Sequence, residues 1–112
     1  MEANSVARKQ LQTLTEPMFY LLLSLKIERH GYEIMQYVQE LTHERINLGP
    51  GTLYSLLARF EEDEHIKMVS SDTNKKTYII TADGNQLLKT EIYRLNQLIK
   101  DAKSVGECYD ED

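Results

Sequence analysis

The chain has 112 residues, of which 41% are hydrophobic and 28% charged. That composition suits one folded domain with a modest core and excludes both a disordered chain and a multidomain assembly. The net charge is −5, which runs against nucleic-acid binding as a simple matter of Coulombic repulsion.

The charge is unevenly placed. Residues 107–112 hold four acids (Glu107, Asp110, Glu111, Asp112) and no base, so the rest of the chain carries only −1 of the −5. Between Lys67 and Thr77, three lysines (Lys67, Lys75, Lys76) face one acid, Asp72, a local excess of +2. Cys108 is the only cysteine, so no internal disulfide can form. Its acidic neighbours disfavour a thiolate, which makes it a tail residue rather than a redox sensor. The longest apolar run, Met18 to Leu25, is broken by Ser24 and falls short of the ~20 residues of a membrane span. The N-terminus, Met1-Glu2-Ala3-Asn4-Ser5, lacks the charged-then-apolar pattern of a signal peptide, so no membrane and a cytoplasmic location are expected.

In chain order, Val6 to Leu14 is weakly amphipathic. Glu16 to Ile27 reads as a first strong helix, with Thr15 as N-cap and Pro17 in the first turn. Its Met18, Phe19, Leu21, Leu22, Leu23, Leu25 and Ile27 cover nearly the whole circumference, more apolar surface than one small core requires. Gly31 breaks this helix, and Tyr32 to Thr42 forms a second, with Ile34, Met35, Val38 and Leu41 as one stripe. Asn47-Leu48-Gly49-Pro50-Gly51 is a turn and helix start. A third helix runs from Pro50 to about Glu64, burying Leu53, Leu56, Leu57 and Phe60. The period then changes from helical to alternating. Ile66 to Ser70 and Thr77 to Thr81 are strands around a polar turn, Ser71 to Lys75. Thr81 caps a last helix reaching about Ala102. Three helices, a hairpin and a long helix describe a mainly α winged helix-turn-helix with a C-terminal helix. The division expected is 1–81 for the winged domain, 82–106 for the helix and 107–112 for an acidic tail.

In such a fold the third helix enters the DNA major groove and reads bases near its N-terminus. At 100° per residue, the side opposite its core stripe carries Gly51, Ser55 and Ala58, flanked by Thr52, Tyr54 and Arg59. Gly49 and Gly51 leave backbone N–H groups open at the positive helix end. The same features also describe an ordinary capped surface helix. The run Glu61-Glu62-Asp63-Glu64 must face away from a duplex if this helix docks. Lys75 and Lys76 at the wing either contact phosphates or solubilise the turn. Leu88, Ile92, Leu95, Ile99 and Ala102 are spaced 4-3-4-3, a coiled-coil seam that is covered either by a second subunit or by the first helix. His30, His43 and His65 stand apart, without metal-ligand spacing, and no Walker-type loop or nucleophile elbow is present. Neither a metal, a cofactor nor catalysis is expected.

The chain resembles the PadR family of bacterial transcriptional regulators over about residues 14–95. The matching elements are Leu14-Thr15-Glu16-Pro17, His30-Gly31-Tyr32-Glu33-Ile34, Leu48-Gly49-Pro50-Gly51-Thr52-Leu53-Tyr54, and Lys76-Thr77-Tyr78 followed by Ile80-Thr81 and Gly84. The single C-terminal helix is that of the short subfamily. The resemblance implies a homodimeric repressor on a double-stranded DNA operator, often released by a small hydrophobic or aromatic effector. It places Gly49, Pro50, Gly51, Thr52, Tyr54 and Ser55 at the DNA-reading start of the third helix and Lys75 and Lys76 on the wing. Tyr32 is a phosphate contact or a packing residue. Phe19, Tyr20 and Leu23, with Ile92 and Leu95, either line an effector pocket at the dimer interface or pack dry. A winged helix serving as a protein-interaction module is the competing function, motivated by the acidity.

Overall fold

The computed structural model describes residues 13–72 and 75–106. The segment from Val6 to Gln12, turn residues Thr73 and Asn74, Cys108 and the acidic tail lie outside them. The element order is α1 (Glu16–Ser24), β1 (Arg29–His30), α2 (Gly31–Leu41), α3 (Pro50–Glu62), β2 (Ile66–Asp72), β3 (Lys75–Ile80) and α4 (Ala82–Val105). The architecture is the expected mainly helical winged helix, with one addition. Its sheet has three strands in the order β1-β3-β2, antiparallel throughout.

α1 starts where Thr15 satisfies the helix end. The Thr15 hydroxyl accepts from the Met18 backbone N–H at 3.3 Å, and Pro17 occupies the first turn. It stops at Ser24, three residues before the expected Ile27. The backbone N–H groups of Leu25 and Lys26 bond to the carbonyls of Leu22 and Leu23, tightening the last turn. The Leu25 carbonyl then accepts from the Ile80 N–H at 2.9 Å, so the chain leaves the helix to join the sheet. Ile27 is left 62% exposed, outside the core that its apolar character suggested.

β1 was not foreseen. Two residues, Arg29 and His30, carry no alternating pattern of their own, and only β3 opposite makes them a strand. Arg29 pairs with Tyr78 and His30 with Thr77. The Arg29 guanidinium packs 4.0 Å above the Tyr37 ring and donates to the Ser24 carbonyl. α2 begins at Gly31 itself, one residue earlier than its apolar stripe indicated. Glu33 folds back to accept from the His30 N–H at 3.0 Å, satisfying one orphan donor of the helix end.

The core gathers Leu21, Leu22 and Leu25 of α1 and its end, Ile34 and Val38 of α2, Leu53, Leu57 and Phe60 of α3, and Ile66, Tyr78, Ile80 and Leu88. Between α2 and α3, Thr42 holds the turn together. Its buried hydroxyl donates to the Val38 carbonyl at 2.8 Å and accepts from the Ile46 N–H at 3.1 Å. His43 and Glu44 both adopt positive φ (52° and 64°) in this turn, which brings Leu48 into the core.

α4 is seated at one point. The Thr81 hydroxyl accepts from the Gly84 N–H at 3.1 Å and donates to the Glu64 carbonyl at 2.8 Å, while the Thr81 N–H bonds the His65 carbonyl at 3.0 Å. Gly84 packs directly on that carbonyl. A Cβ there would lie 2.1 Å from the His65 oxygen and 2.7 Å from an Ile80 methylene. One turn on, Leu88 is 1% exposed. It belongs to the subunit's own core, a correction to its place on the outer seam, because the first turns of α4 are pressed against β3 and the end of α1. Glu91, also buried, takes a bidentate pair of hydrogen bonds from Arg94 at 2.9 and 2.7 Å. The Arg94 hydrogen bonds hold its carboxyl below the usual carboxylate range against the opposing effect of burial, with help from the Leu14 backbone.

Gly84→Ala must move backbone against backbone, so it is expected to destabilise by about 3 kcal/mol, a fall of roughly 12–20 °C in Tm for a domain this size. Gly51→Ala, whose Cβ meets nothing within 4 Å, should leave Tm unchanged or slightly raised. Thermal denaturation of the two variants checks this, and equal melting temperatures would refute the seating argument.

Candidate nucleic-acid interface

The exposure pattern of α3 separates two sides. Leu53, Leu57 and Phe60 are buried and Leu56 is half-buried, whereas Gly51, Thr52, Tyr54, Ser55, Ala58 and Arg59 are exposed. This is the division expected from the 3.6-residue period. Gly49 caps the helix with extended backbone (φ −77°, ψ 162°) and Pro50 follows in the first turn. Built-on Cβ atoms at Gly49 and Gly51 would both meet open space. Nothing within the fold therefore requires glycine at either position, and the space they leave is on the outside.

Gly31 is different, for its Cβ would fall 2.8 Å from the Tyr54 hydroxyl and 3.2 Å from a Leu53 methyl. The tyrosine of the Gly-Thr-Leu-Tyr stretch thus lies across the glycine of the His-Gly-Tyr-Glu element. Two motifs separated in sequence meet at one contact, which sets the first turn of α2 against the first turns of α3. Tyr32, the next residue, is 61% exposed, and Tyr54 remains 57% exposed despite its seat. Tyr32 therefore faces outward rather than packing in the core.

The wing flanks this surface. Lys67, Lys75 and Lys76 are all exposed. Met68 pairs with Tyr78, Ser70 with Thr77, Ser71 with Lys76 and Asp72 with Lys75, with a β-bulge between Met68 and Ser70. Tyr78 is buried against the helices, and its hydroxyl pKa is raised by that burial, then by the charge of Glu61 and by Tyr54. The acids Glu61 and Glu62 close α3 at the end away from Gly51, roughly 16 Å along the axis at 1.5 Å per residue. They are exposed, as are Asp63 and Glu64, and stand apart from the helix start where bases would be read.

The seam residues of α4 divide. With Leu88 in the core, Ile92 and Ile99 are 40% and 49% exposed, and Leu95 and Ala102 are half-buried. Leu98 and Val105, which the 4-3-4-3 spacing does not pick out, extend the same apolar side and are exposed. Phe19, Tyr20 and Leu23 are half-buried on α1, against the core. The Phe19 and Tyr20 rings meet edge to face at 5.5 Å, and the Tyr20 hydroxyl accepts from Arg45 at 3.0 Å. An open cleft of about 450 Å³ lies elsewhere, along the C-terminal half of α2, lined by Gln36, Gln39, Glu40, His43 and Glu44. No group of three or more His, Cys, Asp or Glu among the described residues is placed to hold a metal ion, and no helix among them is long and apolar enough to cross a membrane.

Comparison with known proteins agrees with this geometry. The chain is 32% identical over 94 residues to an uncharacterized protein X of Lysinibacillus sphaericus, covering 80% of each. It is 30% identical over 69 residues to an uncharacterized 37.1 kDa protein in transposon Tn4556 of Streptomyces fradiae. That match covers 62% of this chain but only 19% of the longer relative. The fold is shared with a transcriptional regulator from Clostridium thermocellum (TM-score 0.67, 23% identity, 85% of this chain and 100% of that one). It is also shared with a PadR family regulator from Eggerthella lenta (TM-score 0.65, 22% identity, 99% and 95%). The model of the transcriptional regulator PadR-like family matches residues 21–90, a span that runs from the core of α1 through α3 and the wing to the seat of α4, and the chain belongs to that family.

Proposed function

We propose that the protein is a homodimeric transcriptional repressor that reads a pseudo-palindromic operator with α3 of each subunit. The observation that carries this reading is the outer side of α3. Small and hydrogen-bonding residues (Gly51, Thr52, Ser55, Ala58) lie on an exposed face whose two N-terminal glycines serve no internal purpose. A helix with such a face can approach base edges closely, while Tyr32, Tyr54 and Arg59 at its margins reach the backbone. Lys75 and Lys76 supply local positive charge beside it, which offsets the acidity of the chain as a whole.

A titration with a duplex from the protein's own upstream region, against a scrambled duplex at several salt concentrations, tests this. The expected result is a preference for the upstream duplex that persists while both affinities fall with salt. Footprinting should show two half-sites about one helical turn, ~34 Å, apart. Lys75→Glu with Lys76→Glu should abolish binding to both duplexes. Retained DNA binding in that double variant would sink the wing assignment, whereas a wild-type protein that ignores DNA altogether would favour a protein-interaction role.

Dimerisation through α4 is supported by its exposed apolar side, Ile92, Leu98, Ile99 and Val105, with Leu95 and Ala102 partly covered. An aqueous face of this kind is unstable unless a partner covers it. Ile99→Asp should give a folded monomer by sedimentation, with a Tm unaffected by protein concentration and DNA affinity lowered at least tenfold, since one half-site contact is lost. A dimer that survives this charge would place the interface elsewhere.

Release by a small hydrophobic or aromatic effector would use Phe19, Tyr20 and Leu23 beside Ile92 and Leu95. The half-buried aromatic pair on α1 supports it. A panel of planar aromatic compounds should then include some that raise Tm and displace DNA, effects that Leu23→Trp would suppress by filling the space. No shift across the panel would argue for a dry interface.

A further inference from the structure

The apolar side of α4 is wide enough to hold two separate lines of contact. At 100° per residue, Leu95, Leu98 and Val105 lie within about 40° of the line that Glu91 defines along the helix. Ile92 and Ile99 fall about 80–100° round from that line, on the side of Leu88. Leu98 and Val105 are exposed on the first line, Ile92 and Ile99 on the second. Lines so far apart on one helix face different neighbours.

The course of α1 decides which neighbour meets the first line. The end of α1 is tied to the start of α4. The Ile80 N–H bonds the Leu25 carbonyl at 2.9 Å, and Lys26 donates to the Asn85 side chain at 2.9 Å. The start of α1 lies farther along α4, where the buried Glu91 carboxylate accepts from the Leu14 backbone. Arg94 holds that carboxylate from the adjoining turn, and Leu14 packs on the core. α1 therefore runs antiparallel to α4. The chain before Leu14 is delivered to α4 on the Glu91 line, with Leu98 and Val105 ahead of it.

The residues before Leu14 suit that line. At a helical period Ala3, Ala7 and Leu11 share a sector of about 80°, with Glu2, Ser5, Lys9 and Gln12 opposite. A helix of residues 1–12 spans about 18 Å, and Ile92 to Val105 covers about 20 Å. So short a helix is marginal in water unless its apolar side is covered. Charge favours the same meeting. Residues 1–12 hold two bases against one acid, and residues 92–112 three bases against five acids, so the two stretches attract.

We propose that residues 1–12 dock as a helix along the Leu95, Leu98 and Val105 line of their own subunit's α4, leaving the Ile92 and Ile99 line for a second copy. The antiparallel register set by Leu14 and Glu91 continues, so that Leu11 meets Leu95 and Ala7 meets Leu98. The share left to the second copy rests on the dimer proposed above. The contact within the subunit does not.

Disulfide trapping reads the contact directly. In the full chain carrying Cys108→Ser, Ala7→Cys is combined with Leu98→Cys, or with Lys100→Cys on the opposite side of α4 as control. Facing positions can close a disulfide, whereas positions more than about 7 Å apart cannot. The Ala7/Leu98 pair should close within one chain, running as a monomer on a non-reducing gel, roughly tenfold faster than the control pair. A covalent dimer would put the stretch on the partner's α4, and closure no faster than the control would leave it undocked. Either result overturns the proposal. Tryptic cleavage after Arg8 and Lys9 gives a second reading that needs no disulfide. Leu98 is exposed, so Leu98→Asp should fold and remain dimeric, yet be cut there roughly tenfold faster because the docked stretch is released. Ile99→Asp should do the reverse, giving a monomer cut at the wild-type rate. Unchanged cleavage in Leu98→Asp would also overturn the docking. If Ile99→Asp stays dimeric while the Ala7/Leu98 pair closes within one chain, the dimer reading fails and the docking stands.

Discussion

The structure depends on how α4 is joined to the base of the wing. Thr81 makes four hydrogen bonds at that junction, with the Gly84 and Asn85 N–H groups, the Glu64 carbonyl and the His65 carbonyl. Gly84 brings the helix backbone into direct contact with the last of these. The chain can arrive there only because Glu64 turns with positive φ (64°) at the end of α3, a conformation that costs a non-glycine residue about 1 kcal/mol or more and must be held by its surroundings. The same few residues thus end α3, start β2, finish β3 and start α4. A displacement at this junction would change the angle between α3, the wing and the helix proposed to join the subunits.

A second constraint acts at the other end of α3. The Tyr54 hydroxyl rests over Gly31, so the angle between α2 and α3 is set by a contact between an exposed ring and a bare backbone. The residues that make this contact are also on the proposed DNA surface. Packing and the proposed recognition role therefore fall on the same side chain, Tyr54. The turn between these helices is braced independently by Thr42 from inside and by Arg45, which bonds both the Thr42 carbonyl and the Tyr20 hydroxyl. That bond connects α1 to the helix-turn-helix through a side chain. Because α1 also lies beside α4, it is a physical link between the helix proposed to join subunits and the helix proposed to read DNA.

The charge balance also becomes intelligible in three dimensions. Two groups of acids are placed where they weigh little on the start of α3. Glu61 and Glu62 finish α3 on the side away from Gly51, and Glu91 is internal and neutralised by Arg94. A buried, paired carboxylate contributes little to the field outside, and exposed ones are screened within about 8–10 Å at physiological salt. Net charge is thus a weak guide to function here, and distribution a better one.

Much of the fold was legible in the residues because local physics decided it. Thr15 and Thr81 act as the caps they resemble, Pro50 opens α3, and the period of Leu53, Leu57 and Phe60 divides that helix into core and outer face as the structure does. Where sequence reasoning fell short, the deciding partner was distant. Arg29 and His30 become a strand only because β3 lies opposite, and α1 ends at Ser24 because Ile80 captures the Leu25 carbonyl. Leu88 fits the 4-3-4-3 seam by spacing, yet the seating of Gly84 on His65 turns it inward, into the core. The bulge that moves Ser71 beside Lys76 is likewise a matter of pairing, which no single strand encodes. The sequence by itself determined the kinds and order of helices, because capping and periodicity act over a few residues. The tertiary structure alone decided which sides those helices turn to one another and which residues of β2 and β3 are paired across the sheet, because both depend on contacts between residues far apart in the chain.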